Sequence, residues 1–409
     1  MSLTAPTPPL TPSQSSRKLR RRKVLVAVVL AVVAAINWGL APSVSQRVAS
    51  AATSGASPAS GIRLNQMQVI GTHNSYHIEP PPDLLQILLG IDPQAIQLAY
   101  SHPPLDHQFS REGVRQIELD VYADPAGSLW RPLGRPGYKV FHIEGFDERS
   151  NCEVFVDCLA VVRAWSDAHP DHMPIAILIE VKDNVDLPGP PDPLPVGPIE
   201  LDALDAEIRS QFPESRLLTP DDVRGSHLTL EDAILTDGWP LIDDVRGQVM
   251  FLLDNKRDEY RAGRPSLEGR VAFTPASPGE PDAAFIKMND PLGPNEEAIR
   301  QLVAAGYVVR TRADTPVVTV LAGDVSQRDA ALRSGAQWVS TDYPVPGYSA
   351  RWGSDYVAAI PGGTPARCNP VNAPPACLNT AIENLPPDPD PPALRQLPLP
   401  VGAAPSFTG

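Results

Sequence analysis

Residues able to do acid/base or metal chemistry fall at the ends of four consecutive predicted β-strands. They are His73 and Asn74 after the first strand, Glu118 and Asp120 on the second, His142 at the end of the third, and Glu180 and Lys182 on the fourth. Side chains two residues apart on a strand point to the same face, so Glu118 pairs with Asp120 and Glu180 with Lys182. Two carboxylates on one interior face repel each other unless they are protonated or a cation neutralises them. The pattern therefore predicts a charged site that several strands build together.

The three carboxylates and the amide of Asn74 predict a site for a hard divalent cation. Ca²⁺ and Mg²⁺ prefer oxygen ligands, and the set contains neither cysteine nor the several histidines that zinc prefers. One glutamate alone in such a place is more often part of a buried ion pair or a solvated strand end. Three carboxylates and an amide at successive strand ends favour the metal site, and calcium is the ion that we expect.

His73 and His142 are the candidates for general acid and general base. Cleavage of a phosphodiester needs one group that takes a proton from the attacking hydroxyl and another that protonates the leaving oxygen, and two imidazoles can share these tasks. A bound metal ion would polarise the phosphoryl oxygen. A single histidine is more often structural, and the other six are interpreted in that way: His77, His102, His107, His169, His172 and His227.

The elements that must position these residues alternate between short apolar runs and helical patterns. The predicted strands are Met67–Gly71, Gln116–Tyr122, Lys139–Ile143, Ile175–Lys182, Val249–Asp254, Phe285–Met288, Tyr307–Thr311 and Gln337–Thr341. Runs that are apolar at every position, as at Ile175–Ile179, are typical of strands buried on both faces. Most strands are separated by helical patterns, at Cys158–Ala168, Leu201–Gln211, Glu296–Ala305 and Gln327–Ser334. This order predicts an α/β fold of the (β/α)8 TIM-barrel type, with a doubly wound open sheet as the alternative.

The two ends of the chain differ in composition from the part between them. Residues 1–23 hold six basic side chains and no acidic one, and thirteen apolar residues follow at Val24–Ile36. With small residues at Ala49–Ala51, residues 1–51 are predicted as a signal peptide, or alternatively as an uncleaved membrane anchor. A linker at 52–61, one catalytic domain at 62–350 and a proline-rich tail at 351–409 complete the predicted organisation. Either N-terminal interpretation places the domain outside the cell or on its surface.

Cysteine spacing and charge agree with export. Cys152 and Cys158 are six residues apart, and Cys368 and Cys377 are nine apart, which favours two local disulfides over a zinc site built from CxxC pairs. Beyond residue 23 the chain has 28 basic and 48 acidic residues, a net charge of −20. Such a surface excludes broad attraction to nucleic acid or anionic lipid, so a local positive feature must draw an anionic substrate.

Four strings of the sequence resemble the calcium-dependent phosphatidylinositol-specific phospholipases C of the actinobacterial type. They are Ile70–Tyr76, Gly113–Asp120, Phe141–His142 and Glu180–Lys182, and the closing segment Ser334–Pro344 resembles the last strand of the wider phosphodiesterase superfamily. The resemblance covers about residues 62–350. It implies a barrel in which His73 and His142 are catalytic, and Asn74, Glu118, Asp120 and Glu180 bind calcium. It also implies a substrate that is phosphatidylinositol or a related phosphodiester lipid.

The residues that grip the substrate are less clearly marked in the sequence. Lys182 is the first choice because it shares a strand face with Glu180, and Lys256 and Arg312 follow because they lie at later strand ends, as does Lys287. The apolar stretch within Pro80–Tyr100 is compatible with transient contact with a membrane surface. It is equally typical of an amphipathic helix packed on the barrel, which is the favoured interpretation. We expect a monomer.

Two other functions are compatible with parts of the sequence. A glycerophosphodiester or sphingomyelin-type phosphodiesterase would keep the metal site and would release glycerol or choline phosphate instead. A non-catalytic cell-envelope module that binds polyanions belongs to a different class of protein. The complete set of two histidines and four oxygen ligands disfavours that module, because a barrel without activity tends to lose part of such a set.

Overall fold

The computed structural model of the protein describes residues 61–183 and 191–383. The predicted signal peptide, nearly all of the predicted linker and the proline cluster Pro386–Pro392 lie outside the described residues and stay predictions. Within the described ranges, no helix is both long enough and apolar enough to cross a membrane.

Eight parallel strands form the core of the fold. The strands of the described chain are β1 (Met67–Thr72), β2 (Gln116–Asp124), β3 (Gly137–Val140), β4 (Ile175–Val181), β5 (Val249–Leu253), β6 (Ala272–Phe273), β7 (Phe285–Lys287), β8 (Val308–Arg312), β9 (Trp338–Thr341) and β10 (Ala366–Cys368). All but β3 and β10 form one series in the order β6-β5-β4-β2-β1-β9-β8-β7. Its two ends meet where Pro275 pairs in parallel with Phe285. The strands therefore form a nearly closed barrel, which confirms the predicted (β/α)8 fold and makes the open-sheet alternative wrong.

Helices fill the connections between these strands. They are α1 (Pro82–Ile91), α2 (Leu105–Arg111), α3 (Phe155–Ala168), α4 (Pro198–Gln211), α5 (Pro220–Arg224), α6 (Leu230–Thr236), α7 (Arg257–Tyr260), α8 (Pro294–Ala305), α9 (Val318–Ala322), α10 (Ser326–Ser334) and α11 (Asn379–Ile382). The four predicted helical segments correspond to α3, α4, α8 and α10. Each buries an inner face, as Leu159 and Val162 of α3 do against the barrel, because apolar residues three and four apart share one side of a helix.

The third predicted strand is wrong as a barrel strand. β3 pairs antiparallel with the end of β2, with Val140 opposite Val121, and forms a hairpin arm beside the barrel. The barrel strand that the sequence did not reveal is β6, which has only two residues. A hairpin strand and a short barrel strand are both brief apolar runs, so a pattern of hydrophobicity cannot separate them. His142 therefore lies on a loop after the hairpin arm and not at the end of a barrel strand.

Part of the segment after residue 350 is built into the barrel. β10 pairs antiparallel with the first half of β1, with Cys368 opposite Met67. Further on, Glu383 accepts hydrogen bonds from the buried guanidinium of Arg115 at 2.5 and 2.8 Å. No proline interrupts residues 366–369, so this stretch can form a strand, unlike the extended tail predicted for it. The disulfides Cys152–Cys158 and Cys368–Cys377 are both present, as predicted.

Candidate active site

His73 follows β1 directly, and side chains from its own connection, from the end of β8 and from the residue after β9 surround its ring. Its Nδ1 atom lies 3.2 Å from Asp342 Oδ1, and 3.4 Å from both the Tyr100 hydroxyl and the Arg312 guanidinium. Asp342 is close because β1 and β9 pair in parallel with Thr72 opposite Thr341, so the residues after the two strands meet. Burial and the nearby Arg312 lower the pKa of His73 to about 3. The His73 ring is therefore neutral at ordinary pH.

His142 is held in a tight loop by its own neighbours. The backbone N–H groups of His142 and Ile143 both donate to the carbonyl of Asp147, and the Asp147 N–H donates back to the carbonyl of Ile143. The same loop brings the Asp147 carboxylate to 2.7 Å from His142 Nδ1. Burial lowers the pKa of His142, although Asp147 opposes that shift. The loop thus fixes which ring nitrogen faces the aspartate and leaves Nε2 outside this contact.

Two histidines that the sequence analysis interpreted as structural lie behind these rings. His77 Nε2 is 2.8 Å from Asp147 Oδ2, and His102 Nε2 is 3.4 Å from Asp342 Oδ1. The rings of His77 and His142 are 5.9 Å apart, and Tyr100 stacks on His77 at 4.4 Å and on His73 at 6.4 Å. Each catalytic candidate therefore faces an aspartate that a second histidine also contacts.

Glu118, Asp120 and Glu180 form one cluster, which we call the carboxylate trio. Their nearest carboxylate oxygens all lie within 4.8 Å of one another. The cluster follows from strand register, because β2 and β4 pair in parallel with Asp120 opposite Glu180. Glu118 then points to the same face from two residues earlier. The same-face prediction for these residues is thereby borne out by the geometry, while their role as ligands stays a prediction.

Two buried cations partly neutralise the carboxylate trio. Lys182 Nζ lies 2.7 Å from Glu180 Oε1 and 3.0 Å from Asp120 Oδ2, and the Arg310 guanidinium donates to Glu118 Oε2. Even so, burial raises the pKa of Glu118 to about 7 and raises that of Asp120 well above its usual range. Lys182 responds in the opposite sense: burial alone would lower its pKa, but Asp120 and Glu180 raise it. With only these two cationic side chains beside them, the burial of the three carboxylates is therefore unfavourable in free energy.

A calcium ion would suit the trio because it would offset this unfavourable free energy. Both carboxylate oxygens of Asp120 are buried and accept no hydrogen bond among the described residues, apart from the nearby Lys182 ammonium. Three carboxylates face two cationic side chains, which leaves negative charge for a further cation. The donor atoms are all hard oxygens, as calcium prefers. The residues present thus suit a bound calcium ion.

Asn74 has an unusual backbone that is consistent with a functional position. Its φ angle of 43° lies in the left-handed region, which a non-glycine residue adopts at some cost. The neighbouring Ser75 fixes this turn to β2, because its N–H donates to the carbonyl of Glu118 and its hydroxyl accepts from the Glu118 N–H. The Asn74 side chain is buried, and it partly opposes the rise in the pKa of Tyr100 that burial causes. Asn74 as a calcium ligand therefore stays a prediction.

The predicted substrate-binding residues lie at different distances from these groups. Lys182 is inside the carboxylate trio and Arg312 is beside His73, so both belong to the site. Lys256 is held instead by Asp183, with 2.5 Å between Nζ and Oδ2. Lys287 contacts Asp254 at 2.7 Å.

The sequence analysis missed several residues that complete the site. They are His77, Tyr100, His102, Asp147, Arg310 and Asp342. Asp147 is only five residues beyond His142, and an aspartate so near a candidate histidine was a signal that could have been used. His77, Tyr100 and His102 belong to the same connection as His73, whereas Arg310 and Asp342 come from remote strands and reach the site only through the barrel.

Comparison with known proteins was made at the levels of sequence family and structure. The family model described as phosphoinositide phospholipase C, Ca²⁺-dependent, matches residues 62–133 and 131–370. Curated protein sequences include no match. The relatives of known structure are distant, and their TM-scores are too low to add to the family match.

Three solved structures illustrate this distance. A Ca²⁺-dependent phosphatidylinositol-specific phospholipase C from Streptomyces antibioticus is 23% identical, with 69% of this chain and 95% of that chain covered and a TM-score of 0.46. A calcium-dependent phosphoinositol-specific phospholipase C from a Pseudomonas species is 18% identical, with 76% and 97% covered and a TM-score of 0.46. Its myoinositol complex is 18% identical, with 75% of this chain and 96% of that chain covered and a TM-score of 0.46. Because the family model matches more than half of the chain, the protein belongs to the Ca²⁺-dependent phosphoinositide phospholipase C family and is a calcium-dependent phosphodiesterase.

Proposed function

We propose that this protein cleaves phosphatidylinositol or a closely related lipid between phosphate and the lipid alcohol, with His73 and His142 as the proton-transfer groups. The observation that carries the proposal is that two aspartate-bound imidazoles and the carboxylate trio belong to one site. β8 links the trio to His73, since its Arg310 contacts Glu118 and its Arg312 lies 3.4 Å from His73 Nδ1. Lys182 links the trio to His142, since it contacts Glu180 and lowers the pKa of His142.

The chemistry begins with a hydroxyl of the substrate's own inositol ring as the nucleophile. One imidazole takes the proton from this hydroxyl as its oxygen attacks phosphorus, and the other gives a proton to the leaving oxygen of the lipid alcohol. Since nucleophile and phosphate belong to one molecule, orientation supplies much of the rate enhancement. Each histidine has an aspartate at Nδ1, which keeps that nitrogen protonated and makes Nε2 the nitrogen that exchanges protons with the substrate.

Calcium would be held by Glu118, Asp120 and Glu180, with Asn74 as the predicted fourth ligand. When bound, it supplies positive charge that polarises the phosphoryl oxygen and lowers the pKa of a coordinated hydroxyl. Lys182 and Arg312 are proposed to bind the phosphate, because each is a cation adjoining a catalytic group. Lys256 is a weaker candidate, since its partner Asp183 belongs neither to the carboxylate trio nor to the two imidazole–aspartate pairs.

We also propose that the enzyme works at a membrane surface outside the cytoplasm as a monomer. Exposed apolar side chains occur in connections that follow the carboxyl ends of barrel strands, where barrel active sites lie. Among them are Ile87, Ile91, Leu133, Leu292 and Val318, between 39% and 67% exposed. Two disulfides agree with an oxidising compartment. An apolar rim of this kind supports contact with lipid at the mouth of the site.

The decisive experiment is an assay of the purified 52–409 chain on phosphatidylinositol, with calcium and with chelator. We expect inositol phosphate products that require calcium, and a loss of about 10²-fold or more in kcat in His73→Ala and in His142→Ala. His169→Ala is the matched control, because that ring contacts the carbonyl of Trp165 at the end of α3, away from the site. Full activity in either site variant would remove that histidine from the mechanism. Release of choline or glycerol phosphate, with phosphatidylinositol untouched, would replace the proposed substrate.

A further inference from the structure

His77 is buried, and both of its ring nitrogens face hydrogen-bond acceptors. Nδ1 lies 3.0 Å from the backbone carbonyl oxygen of Tyr100, and Nε2 lies 2.8 Å from Asp147 Oδ2. A carbonyl oxygen cannot donate, so Nδ1 must carry a proton. A neutral imidazole has only one N–H, which would leave Nε2 as a lone pair against the carboxylate oxygen. The geometry therefore requires either a doubly protonated ring or a protonated Asp147.

The surroundings of Asp147 favour its ionised form. Its Oδ2 atom is also 2.7 Å from His142 Nδ1, so one oxygen faces two imidazoles. A carboxylate oxygen accepts from both rings as a charged acceptor, whereas a protonated Oδ2 would donate to one ring and keep only a weaker, neutral acceptor for the other. Burial alone would raise the pKa of Asp147, but His77 and His142 outweigh burial and lower it to about 2. The proton consequently belongs on His77, which becomes a buried imidazolium.

His102 is a natural comparison, because it stands behind His73 as His77 stands behind His142. Its Nε2 atom contacts the carbonyl oxygen of His73 at 2.9 Å and Asp342 Oδ1 at 3.4 Å. Its Nδ1 atom is buried with no hydrogen-bond partner among the described residues. One N–H on Nε2 satisfies both contacts, so a neutral ring suffices. The contacts of His102 thus need one N–H, whereas the contacts of His77 need two.

We propose that His77 is a permanently protonated positioning residue, which holds Asp147 as a carboxylate and so orients His142 with Nδ1 toward Asp147 and Nε2 toward the substrate. The proposal rests on the proposed catalytic role of His142. His77 itself is a positioning residue, because the imidazole of His142 stands between Asp147 and the reaction. No property of this kind was expected from the sequence, where His77 was interpreted as structural.

The charge of His77 should also affect when His142 gains its proton. The charged and titratable groups that act on His142 are Asp147, Lys182 and His77, of which the first raises its pKa and the other two lower it. Those that act on His77 are Asp147 and Asp342, and Glu79 also interacts with it. Replacing the imidazolium by a neutral group removes a positive charge that lowers the pKa of His142, and it leaves the opposite effect of Asp147 uncompensated. The pKa of His142 must then rise.

The first test is the pH dependence of kcat/KM in His77→Gln, which keeps an N–H donor for Asp147 and loses the charge. We expect kcat to fall on the order of ten- to a hundredfold with little change in KM, as for other residues that support a catalytic group. We also expect the limb of the pH profile that belongs to His142 to move to higher pH. His169→Gln, on the opposite end of the barrel, should leave the profile in place. A profile in His77→Gln that matches the wild type would overturn the proposal.

The second test needs no catalysis. In protein labelled with ¹⁵N at histidine, the ring nitrogens of His77 should both give the shift of a protonated imidazolium from about pH 6 to pH 8. Its resonance is assigned by its loss in His77→Gln. A neutral-tautomer shift in this range would overturn the proposal even if the enzyme cleaves phosphatidylinositol. A constant imidazolium shift in a protein without such activity would instead leave His77 as described and refute the proposed function.

Discussion

At the scale of single residues, burial sets the charge of several groups, and Glu112 offers a clean case outside the catalytic cluster. It follows α2, is 7% exposed, and accepts a hydrogen bond from the Tyr348 hydroxyl. Burial raises the pKa of Glu112 to about 7, and Tyr348 and His102 only partly oppose the shift. Between the unfolded pKa near 4.5 and the folded pKa near 7, the unfolded chain has released the proton that the folded chain still holds. Stability must therefore fall as pH rises through this window.

Glu112→Gln should remove this share of the pH dependence. A shift of this size corresponds to about 3 kcal/mol of unfolding free energy between about pH 4.5 and pH 7. Urea unfolding at pH 5 and pH 8 measures it, and the wild type should lose more stability across this range than Glu112→Gln does. Glu297→Gln, at an exposed carboxylate of α8, is the control that should follow the wild type. Equal losses in the wild type and Glu112→Gln would show that Glu112 is ionised in the folded protein.

Whether a residue of the site could be predicted from the sequence depends on how far along the chain its partners lie. Glu118 with Asp120 and Glu180 with Lys182 could be predicted as same-face pairs, because alternation along a strand is a local property. The roles of Asp342 and Arg310 could not, because these residues reach His73 and Glu118 only after β1, β8 and β9 have paired in the barrel. His77 could not be recognised for the same reason, since its charge depends on two acceptors that come from separate loops.

At the scale of elements, the barrel was predictable because its longer strands are continuous apolar runs with helices between them. The predicted number of barrel strands, eight, was right, but the predicted set of strands was not, since it included β3 and missed β6. The hairpin arm formed by β2 and β3 nevertheless positions one of the two catalytic candidates. It carries His142 on the loop that follows β3, and β2 anchors it with Val121 opposite Val140. A catalytic group delivered by a hairpin arm has the same sequence signature as one at the end of a barrel strand.

The apolar residues of α1 fit both expectations stated for this stretch: packing of a helix on the barrel, and contact with a membrane surface. Leu85 is buried in a cluster with Ile96 and Val317, as the packed-helix interpretation predicts. Ile87 and Ile91, four residues apart and so on one side of the helix, are 60% and 48% exposed. α1 lies in the connection that follows β1, next to the end where His73 emerges. The outer side is thus available for lipid while the inner side holds the helix in place.

The double variant Ile87→Asp with Ile91→Asp should separate membrane contact from chemistry. Each isoleucine can contribute about 1.5–3 kcal/mol when it leaves water, so we expect binding to phosphatidylinositol-containing vesicles to weaken by about tenfold or more. Activity on vesicles should fall with it, while activity on a soluble short-chain substrate should stay near that of the wild type. Leu378→Asp is the control, because that exposed leucine lies near β10 and the opposite end of the barrel. Unchanged vesicle binding in the double variant would exclude α1 as a lipid contact.

At the scale of the whole molecule, the excess of acid decides how calcium binding must be measured. The chain beyond residue 23 has a net charge of −20. Any added salt screens the repulsion within such a molecule and can stabilise it without binding at a particular place. A specific site differs in two ways, because it saturates at low concentration and depends on particular ligands. The carboxylate trio, in which the buried oxygens of Asp120 have no partner but Lys182 among the described residues, is where a specific effect should originate.

Calcium should therefore raise the thermal unfolding midpoint of the protein beyond what an equal ionic strength of sodium chloride does. A ligand at 100 times its Kd stabilises the folded state by about 2.7 kcal/mol, which is several degrees in midpoint for a domain of this size. Glu180→Gln should lose most of the calcium-specific part, because it removes a charged ligand while the neighbouring strand pairing stays intact. Glu214→Gln, at an exposed carboxylate between α4 and α5, should keep all of it. If Glu180→Gln and Glu214→Gln respond to calcium equally, calcium acts on the molecule's overall charge, and the carboxylate trio does not bind it.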